Sequence, residues 1–327
     1  MSTILRGSDN LDSGDIVKDS TCETDIALYN KGFKNYIMNG NFDIWQYGPS
    51  QTTLGYGSDD RWFNYNRDST KTHSRQTCTD TERVLFNAQY YSRTVVSSVA
   101  GASNIVYKLQ YIEDVTKLAG KTVTLSFWAR ADSTKNFAVE FAQNFGTGGT
   151  PTYQVNRLGS QLVPLTSTWQ KFTKTVTLPS IVGKTIGTDG VHTSSTQITF
   201  YFDDAVTPNR SSGLGQQSGT FDIAQVQLEE GSVATPFENR PIGLELSLCQ
   251  RYYNGAIKVG LYNSASSTLV IGGSATFSPP MRVTPTMGLV AGIAVNYQNL
   301  SANGTEYYST VGAGLWNNGF HYAAAEL

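Results

Sequence analysis

The stretch Val123-Thr-Leu-Ser-Phe-Trp-Ala-Arg-Ala131 alternates apolar and polar side chains along its whole length. Successive side chains of a β-strand point to opposite faces, so this pattern predicts a strand with Trp128 and Arg130 on its outward face. Five more runs are predicted strands: Tyr107 to Ile112, Phe137 to Gln143, Phe172 to Leu178, Ile198 to Phe202 and Phe221 to Leu228. Turn-forming residues separate them without helical patterns in between, which favours an all-β antiparallel sandwich over βαβ units.

The chain has 327 residues, enough for more than one domain. Residues 1–34 are polar with little apolar periodicity, which predicts an extended arm that becomes ordered on a partner. Residues 35–241 hold the sandwich pattern, and residues 242–327 follow as a linking helix after Pro241 and a smaller C-terminal β domain. The predicted strands of that domain are Ala256 to Tyr262, Leu269 to Phe277, Gly288 to Val295, Tyr307 to Val311 and Gly319 to Ala323.

The composition argues against several classes of protein. Only 15% of the residues are charged, the net charge is -2, and no two Lys or Arg residues are adjacent, so we expect no binding to nucleic acid. Cys22, Cys78 and Cys249 show no metal-ligand spacing and no even disulfide framework. The chain has neither a signal-like start nor a run of about 18 apolar residues, which predicts cytoplasmic synthesis and no membrane insertion.

The sequence shows few of the residue patterns that hydrolytic enzymes use. The three histidines are far apart, and no Gly-x-Ser-x-Gly elbow or phosphate-binding loop occurs. The candidate acid/base pairs are Asp59/Asp60, Asp203/Asp204 and Glu229/Glu230. Adjacent residues on a strand face opposite sides, so we interpret these pairs as solvated loop charges. We assign no catalytic residue and expect a protein that is not an enzyme.

A repeated Phe-Asp-Ile motif gives a candidate metal site. It occurs in Asn35-Tyr-Ile-Met-Asn-Gly-Asn-Phe-Asp-Ile-Trp45 and again at Phe221-Asp-Ile, near the other end of the sandwich. If the first and last strands pair, Asp43 and Asp222 would meet and could hold Ca²⁺, which prefers oxygen ligands. The alternative is that both are ordinary carboxylates at strand ends.

A sugar-binding surface needs flat aromatic faces surrounded by polar groups, because a pyranose has an apolar face and a rim of hydroxyls. Trp128 and Arg130, with Glu140 on the next strand and Tyr201 later, form the predicted carbohydrate-binding surface. The alternative is that a neighbouring loop or subunit covers Trp128. The remaining tryptophans of this region are predicted core anchors: Trp45, Trp62 and Trp169.

An ordered succession of motifs carries a resemblance to a known class of proteins. The motifs are Asn39-Gly-Asn-Phe-Asp-Ile-Trp45, Asp60-Arg-Trp62, Gln110-Tyr-Ile-Glu-Asp-Val115, Leu118-Ala-Gly-Lys-Thr-Val-Thr-Leu-Ser-Phe-Trp-Ala-Arg130, Phe221-Asp-Ile-Ala-Gln-Val-Gln-Leu-Glu229, Pro236-Phe-Glu238 and Cys249-Gln-Arg-Tyr-Tyr253. Over roughly residues 35–255 the chain resembles virion proteins of tailed bacteriophages, and Pro279-Pro-Met-Arg-Val-Thr-Pro285 looks like the domain that often follows.

The resemblance implies a jelly-roll domain of the carbohydrate-binding-module type on a tail fibre, tailspike or head fibre. It also implies a homotrimer that joins other virion proteins through residues 1–34 and presents the sandwich at the particle surface. The chain has no long repetitive β-helix region, where depolymerase tailspikes carry their active sites. It is also short for a whole tail fibre, so a capsid fibre or decoration protein is equally expected.

Three functions remain open at this stage. The first is a structural and adhesive virion protein, with host surface polysaccharide as a possible ligand. The second is a receptor-binding lectin of the tail, and the third is a glycan depolymerase that uses carboxylates between subunits.

Overall fold

A computed structural model describes residues 33–189, 193–205, 211–262, 269–292, 295–311 and 316–326. The predicted arm lies outside these residues except for Phe33 and Lys34. The Lys34 backbone N–H donates to Glu238 at 3.0 Å, so the end of the predicted arm is already attached to the sandwich.

Two antiparallel sheets form residues 33–241. The strands are β1 (Ser50–Gln51), β2 (Phe63–Arg67), β3 (Thr70–Thr77), β4 (Tyr90–Ser97), β5 (Ile105–Ile112), β6 (Thr122–Ala131), β7 (Lys135–Asn144), β8 (Val155–Leu165), β9 (Gln170–Thr177), β10 (Ser195–Asp204) and β11 (Gly219–Glu230). Within the described residues one sheet has the order β1-β3-β4-β11-β6-β9 and the other β2-β5-β10-β7-β8. From β5 onward most connections cross between the sheets, as in a jelly roll, and the predicted all-β sandwich is confirmed.

Aromatic side chains from both sheets fill the space between them. Phe127 of β6 meets Phe200 of β10 edge-on at 5.2 Å between ring centroids, and Phe137 of β7 lies 5.7 Å from Phe200. All three are buried. Trp62 is also buried and Trp45 nearly so, which confirms two of the predicted core anchors. Trp169 is instead partly buried in a separate cluster on the outside of the six-stranded sheet.

The segment that precedes β1 pairs with the last strand of the sandwich, which meets the condition set for the Asp43 and Asp222 site. The Tyr36 backbone N–H donates to the carbonyl of Leu228, and that of Val226 donates to the carbonyl of Gly40, both at 2.8 Å. Residues 35–40 therefore lie against residues 226–228, and this pairing positions the turn that leads to Asp43.

Three short helices complete the described part of residues 33–250: α1 (Asp80–Phe86), α2 (Val115–Leu118) and α3 (Ile242–Gln250). The linking helix predicted after Pro241 is confirmed as α3, with Pro241 at its N-cap. Helix α1 was not predicted. It begins with a capping box, in which Thr79 and Glu82 each bind the other's backbone N–H.

The C-terminal residues form two three-stranded antiparallel sheets within the described ranges. Their strands are β12 (Tyr253–Tyr262), β13 (Leu269–Thr276), β14 (Thr286–Gly292), β15 (Asn296–Ser301), β16 (Gly304–Val311) and β17 (Trp316–Ala324). The sheet orders are β12-β17-β14 and β13-β16-β15. All five predicted strands are present with shifted ends, and β15 was missed because its sequence Asn-Tyr-Gln-Asn-Leu-Ser is largely polar.

The C-terminal domain contacts the sandwich through buried charges. Arg61 forms an ion pair with Glu326, and its guanidinium lies 3.4 Å from the centre of the Tyr252 ring. Glu113 of the sandwich accepts from Arg251 at 2.7 Å and from the Tyr252 hydroxyl at 2.8 Å. None of the described helices is both long and apolar enough to span a bilayer.

Candidate functional site

Trp128 and Arg130 lie on the outward face of β6, opposite its core residues Phe127 and Ala129. Helix α1 lies over them. Phe86, the last residue of α1, meets the Trp128 ring edge-on at 5.6 Å and the Trp169 ring at 4.8 Å. Trp128 is partly buried in this cluster, where the helix covers it in place of the loop or subunit of the alternative.

Arg130 is held in a network of charges. Its Nε donates to Asp222 at 2.8 Å, its Nη1 lies 3.0 Å from Glu82, and the guanidinium sits 4.5 Å from the centre of the Trp169 ring. Burial disfavours the Arg130 charge, but the hydrogen bond and the charge of Asp222 outweigh it and raise the arginine's pKa. This network anchors α1 to the sheet and leaves little of Arg130 for a ligand.

Asp43 and Asp222, the residues of the predicted metal site, have different partners in the structure. Both oxygens of Asp222 accept from arginines, since Arg93 donates to them at 2.7 and 2.9 Å and Arg130 also donates to one. Asp43 accepts from Asn41 at 2.9 Å and lines a separate cavity of about 220 Å³ that includes Arg240. In the described ranges no three His, Cys, Asp or Glu residues are grouped as metal ligands. Calcium binding at Asp43 and Asp222 stays a prediction.

The predicted four-residue sugar surface is divided between the two sheets. Trp128 and Arg130 belong to β6, whereas Glu140 and Tyr201 belong to β7 and β10 of the other sheet. The sequence prediction placed β7 beside β6, but the chain crosses to the opposite sheet between them. The two pairs therefore lie on opposite outer faces of the sandwich.

The outward face of the five-stranded sheet is covered around Glu140 and Tyr201. Glu140 is 0% and Tyr201 1% exposed. Tyr107 stacks on Tyr65 at 4.7 Å between centroids and meets Tyr201 at 5.4 Å. Leu214, from the segment after β10, packs on this row of tyrosines. Tyr65 and Tyr107 are only partly buried, so the described residues cover this face around Tyr201 and leave part of the tyrosine row accessible.

The acidic pairs are not solvated loop charges, which corrects the sequence interpretation. Five of the six carboxylates are buried: Asp59, Asp60, Asp203, Asp204 and Glu229. Asp203 accepts from the hydroxyls of Ser69 and Ser98, and Glu229 accepts from Thr235. Burial raises the pKa of Asp60 to about 7, although hydrogen bonds from Gln46 oppose the rise. These carboxylates join segments that are distant in sequence.

An open pocket lies at one end of the sandwich, where β7 leads into β8. It has a volume of about 350 Å³ and is lined by residues 144–146 and 149–154. Tyr153 is 93% exposed. Among the described residues, the side chains that line the pocket include aromatic rings, hydroxyls and amides, and none of these is charged.

Backbone hydrogen bonds to residues 185–189 hold the loop that forms this pocket. The N–H of Gly187 donates to the Phe145 carbonyl at 2.8 Å, and that of Thr152 donates to the Thr185 carbonyl at 2.9 Å. A Cβ on Gly187 would lie 2.0 Å from the Thr147 carbonyl oxygen, so this close approach requires glycine. The pocket is thus built on a braced loop.

The sequence analysis missed this pocket. A detectable signal was an aromatic residue after a Gly- and Thr-rich turn, in Gly146-Thr-Gly-Gly-Thr-Pro-Thr-Tyr153. Its partner segment, residues 185–189, is more than thirty positions further along the chain and lies beside it only in the folded protein.

Searches against known proteins match the chain only at the level of solved structures. No protein-family model and no curated protein matches it. A family 4 carbohydrate-binding module is 21% identical over 59% of this chain and 98% of its own, with a TM-score of 0.34. A family 11 module from Clostridium thermocellum, in complex with a mixed-linked tetrasaccharide, is 8% identical over 57% and 98% of the two chains, with a TM-score of 0.34.

A phage protein is also among the structural matches. The enzymatically active domain of tailspike protein 4 of bacteriophage CBA120 is 16% identical over 60% of this chain and 21% of its own, with a TM-score of 0.33. Likenesses this distant identify no ligand and no assembly for the present chain.

Proposed function

We propose that this chain is a non-catalytic surface protein of a tailed-phage particle that binds host glycan through its sandwich. The Tyr153 pocket is the observation that carries the adhesive part of the proposal. An exposed ring beside fixed hydroxyls and amides matches a pyranose, which is apolar on one face and polar at its rim.

The structural part of the proposal depends on the succession of sequence motifs. Residues 1–34 would join capsid or tail proteins, and the small C-terminal domain would gain stability from a homotrimer. Synthesis in the host cytoplasm and assembly into the virion accompany this role. A receptor-binding lectin of the tail is the alternative, and cryo-microscopy of the particle would distinguish tail from head.

A non-catalytic role is supported by the state of the acidic pairs. Asp59, Asp203 and Glu229 are buried and hydrogen-bonded to other parts of the sandwich. A glycosidase needs two carboxylates on either side of an open cleft. Release of reducing ends from host polysaccharide by the purified protein would contradict this part of the proposal.

Two experiments test adhesion and assembly separately. The purified full-length chain should bind a subset of glycans on an array that includes host envelope polysaccharides, and binding to none would contradict the adhesive role. Deletion of residues 1–34 should leave glycan binding intact while abolishing incorporation into particles. Incorporation of the truncated chain at normal occupancy would refute the role of the arm.

A further inference from the structure

The side-chain amides beside Tyr153 form a chain of hydrogen bonds, in which each amide donates to the oxygen of the next. We call this chain the Asn144–Gln154 relay. The Gly146 backbone N–H donates to Asn144 Oδ1 at 2.8 Å, which fixes the orientation of that amide. Asn144 Nδ2 then lies 3.4 Å from Gln154 Oε1, and Gln154 Nε2 donates to Gln197 Oε1 at 3.0 Å. A backbone donor therefore determines where each amide of this relay has its N–H groups and its oxygen.

The relay leaves hydrogen-bonding capacity at the pocket. Each amide carries two N–H donors and one oxygen with two lone pairs, and the relay uses one donor of Asn144 and one of Gln154. Asn144 and Gln154 both line the pocket and are partly exposed, with Thr150 and Thr152 close by. The pocket thus offers donors and acceptors at fixed positions, which suits hydroxyl groups because they both donate and accept.

The lining also disfavours a charged ligand. No Lys or Arg is among the described residues that line the pocket. A carboxylate or phosphate that entered would lose water without gaining a cation, which costs far more than the transfer of a hydroxyl that finds a partner. A volume of about 350 Å³ is near the lower end of small-molecule sites, roughly 300 to 1,000 Å³, and it suits one or two sugar residues.

We infer that the Tyr153 pocket binds one or two neutral sugar residues of a glycan, with a ring stacked on Tyr153 and its hydroxyls bound by the Asn144–Gln154 relay. This inference depends on the proposed glycan-binding function and adds its location and ligand class. Since residues 185–189 brace the loop, little ordering is needed on binding.

The test compares ligands first. The full-length chain is applied to a panel of hexose- and N-acetylhexosamine-terminated oligosaccharides and to matched sialylated and glucuronylated ones. Neutral members should bind at least tenfold more tightly than their acidic counterparts. Binding confined to the acidic members would overturn the ligand class while leaving the adhesive function in place.

The second step compares variants by calorimetry with the strongest neutral member of the panel. Tyr153→Ala should weaken binding at least tenfold, and Tyr153→Phe should keep it within about threefold because the ring remains. Tyr308→Ala is the matched control, since Tyr308 is an exposed tyrosine of the C-terminal domain and should not affect binding. Unchanged affinity in Tyr153→Ala would refute the site, even if the wild-type protein binds glycan.

Gln154→Glu tests the relay. A carboxylate has no donor for Gln197, so binding should fall at least tenfold at pH 7 and recover in part at pH 4, where the introduced carboxyl regains one donor.

Sedimentation analysis of Tyr153→Ala tests whether Tyr153 instead forms a contact between subunits. A change of oligomer mass without a change in sugar affinity would identify Tyr153 as a subunit contact and overturn the inference.

Discussion

The interior of the sandwich has two halves built on different physical principles. In one half Phe127, Phe137 and Phe200 meet edge-on across the two sheets. In the other half Lys108 forms an ion pair with Asp59, and both side chains are buried. The Lys108 ammonium lies 5.6 Å from the Phe42 ring centre, so the polar half directly adjoins the apolar one.

The polar half contains several buried hydrogen bonds besides the Lys108–Asp59 ion pair. Asp59 also accepts from Ser58 at 2.7 Å and from Ser92 at 3.0 Å, and the buried His73 shares a hydrogen bond of 2.7 Å with Thr94. Burial is the main cause that lowers the pKa of Lys108 and of His73. An apolar core is stabilised by the area that it removes from water, whereas the polar half is stable only while every charge keeps its partner.

The largest expected effect is in the apolar half. Phe200→Ala removes a ring that contacts both sheets, and the free energy of unfolding should fall by about 3 to 5 kcal/mol. Urea denaturation followed by circular dichroism measures the loss. A decrease below about 1 kcal/mol would mean that the aromatic cluster is not well packed.

A slightly smaller effect is expected in the polar half. Lys108→Met leaves Asp59 without its cation, and the free energy of unfolding should fall by about 3 kcal/mol. The double variant Lys108→Met with Asp59→Leu should recover much of this loss, because no uncompensated charge remains. Lys171→Met, on the exposed side of β9, is the control and should change stability by less than about 0.5 kcal/mol. Lack of recovery in the double variant would contradict the contrast between the two halves.

The domain junction extends the comparison to a second buried ion pair. Glu326→Gln removes the charge that faces Arg61, and the C-terminal domain should lose about 2 kcal/mol of stability in its contact with the sandwich. Limited proteolysis should then cleave the chain at the linking helix α3 sooner than in the wild-type protein. Equal cleavage rates would show that the contact between the domains does not depend on the Arg61–Glu326 ion pair.

The smallest effect concerns pH. The folded-state pKa of Asp60 is raised to about 7, so its contribution to stability is complete at low pH and is lost as the pH rises through 7. Between pH 8 and pH 6 this carboxyl should add about 1 kcal/mol of stability. His73 opposes this trend, since its lowered pKa favours the folded state at higher pH. The difference between wild type and Asp60→Asn at the two pH values isolates the Asp60 contribution, and a constant difference would contradict it.

The buried polar residues of the sandwich interior also explain which strands could be predicted from the sequence and which could not. Strands β5, β6, β7, β9, β10 and β11 were predicted because apolar residues mark their inward faces. Strand β3 was not, since its buried inward side chains are Lys71 and His73, which look like exposed residues in the sequence. Helix α1 was missed although Thr79 and Glu82 have the spacing of a capping box.

The sequence by itself determined the all-β fold class, because side-chain alternation and turn residues are local properties that favour strands in any surroundings. Only the tertiary structure decided which strands share a sheet, and so placed Trp128 and Glu140 on opposite faces. It also decided that Asp59 and Lys108 meet inside the core and that residues 185–189 brace the loop of Tyr153. These outcomes depend on partners far apart in the chain, and a period of two specifies the face of a residue but not its neighbour on the next strand.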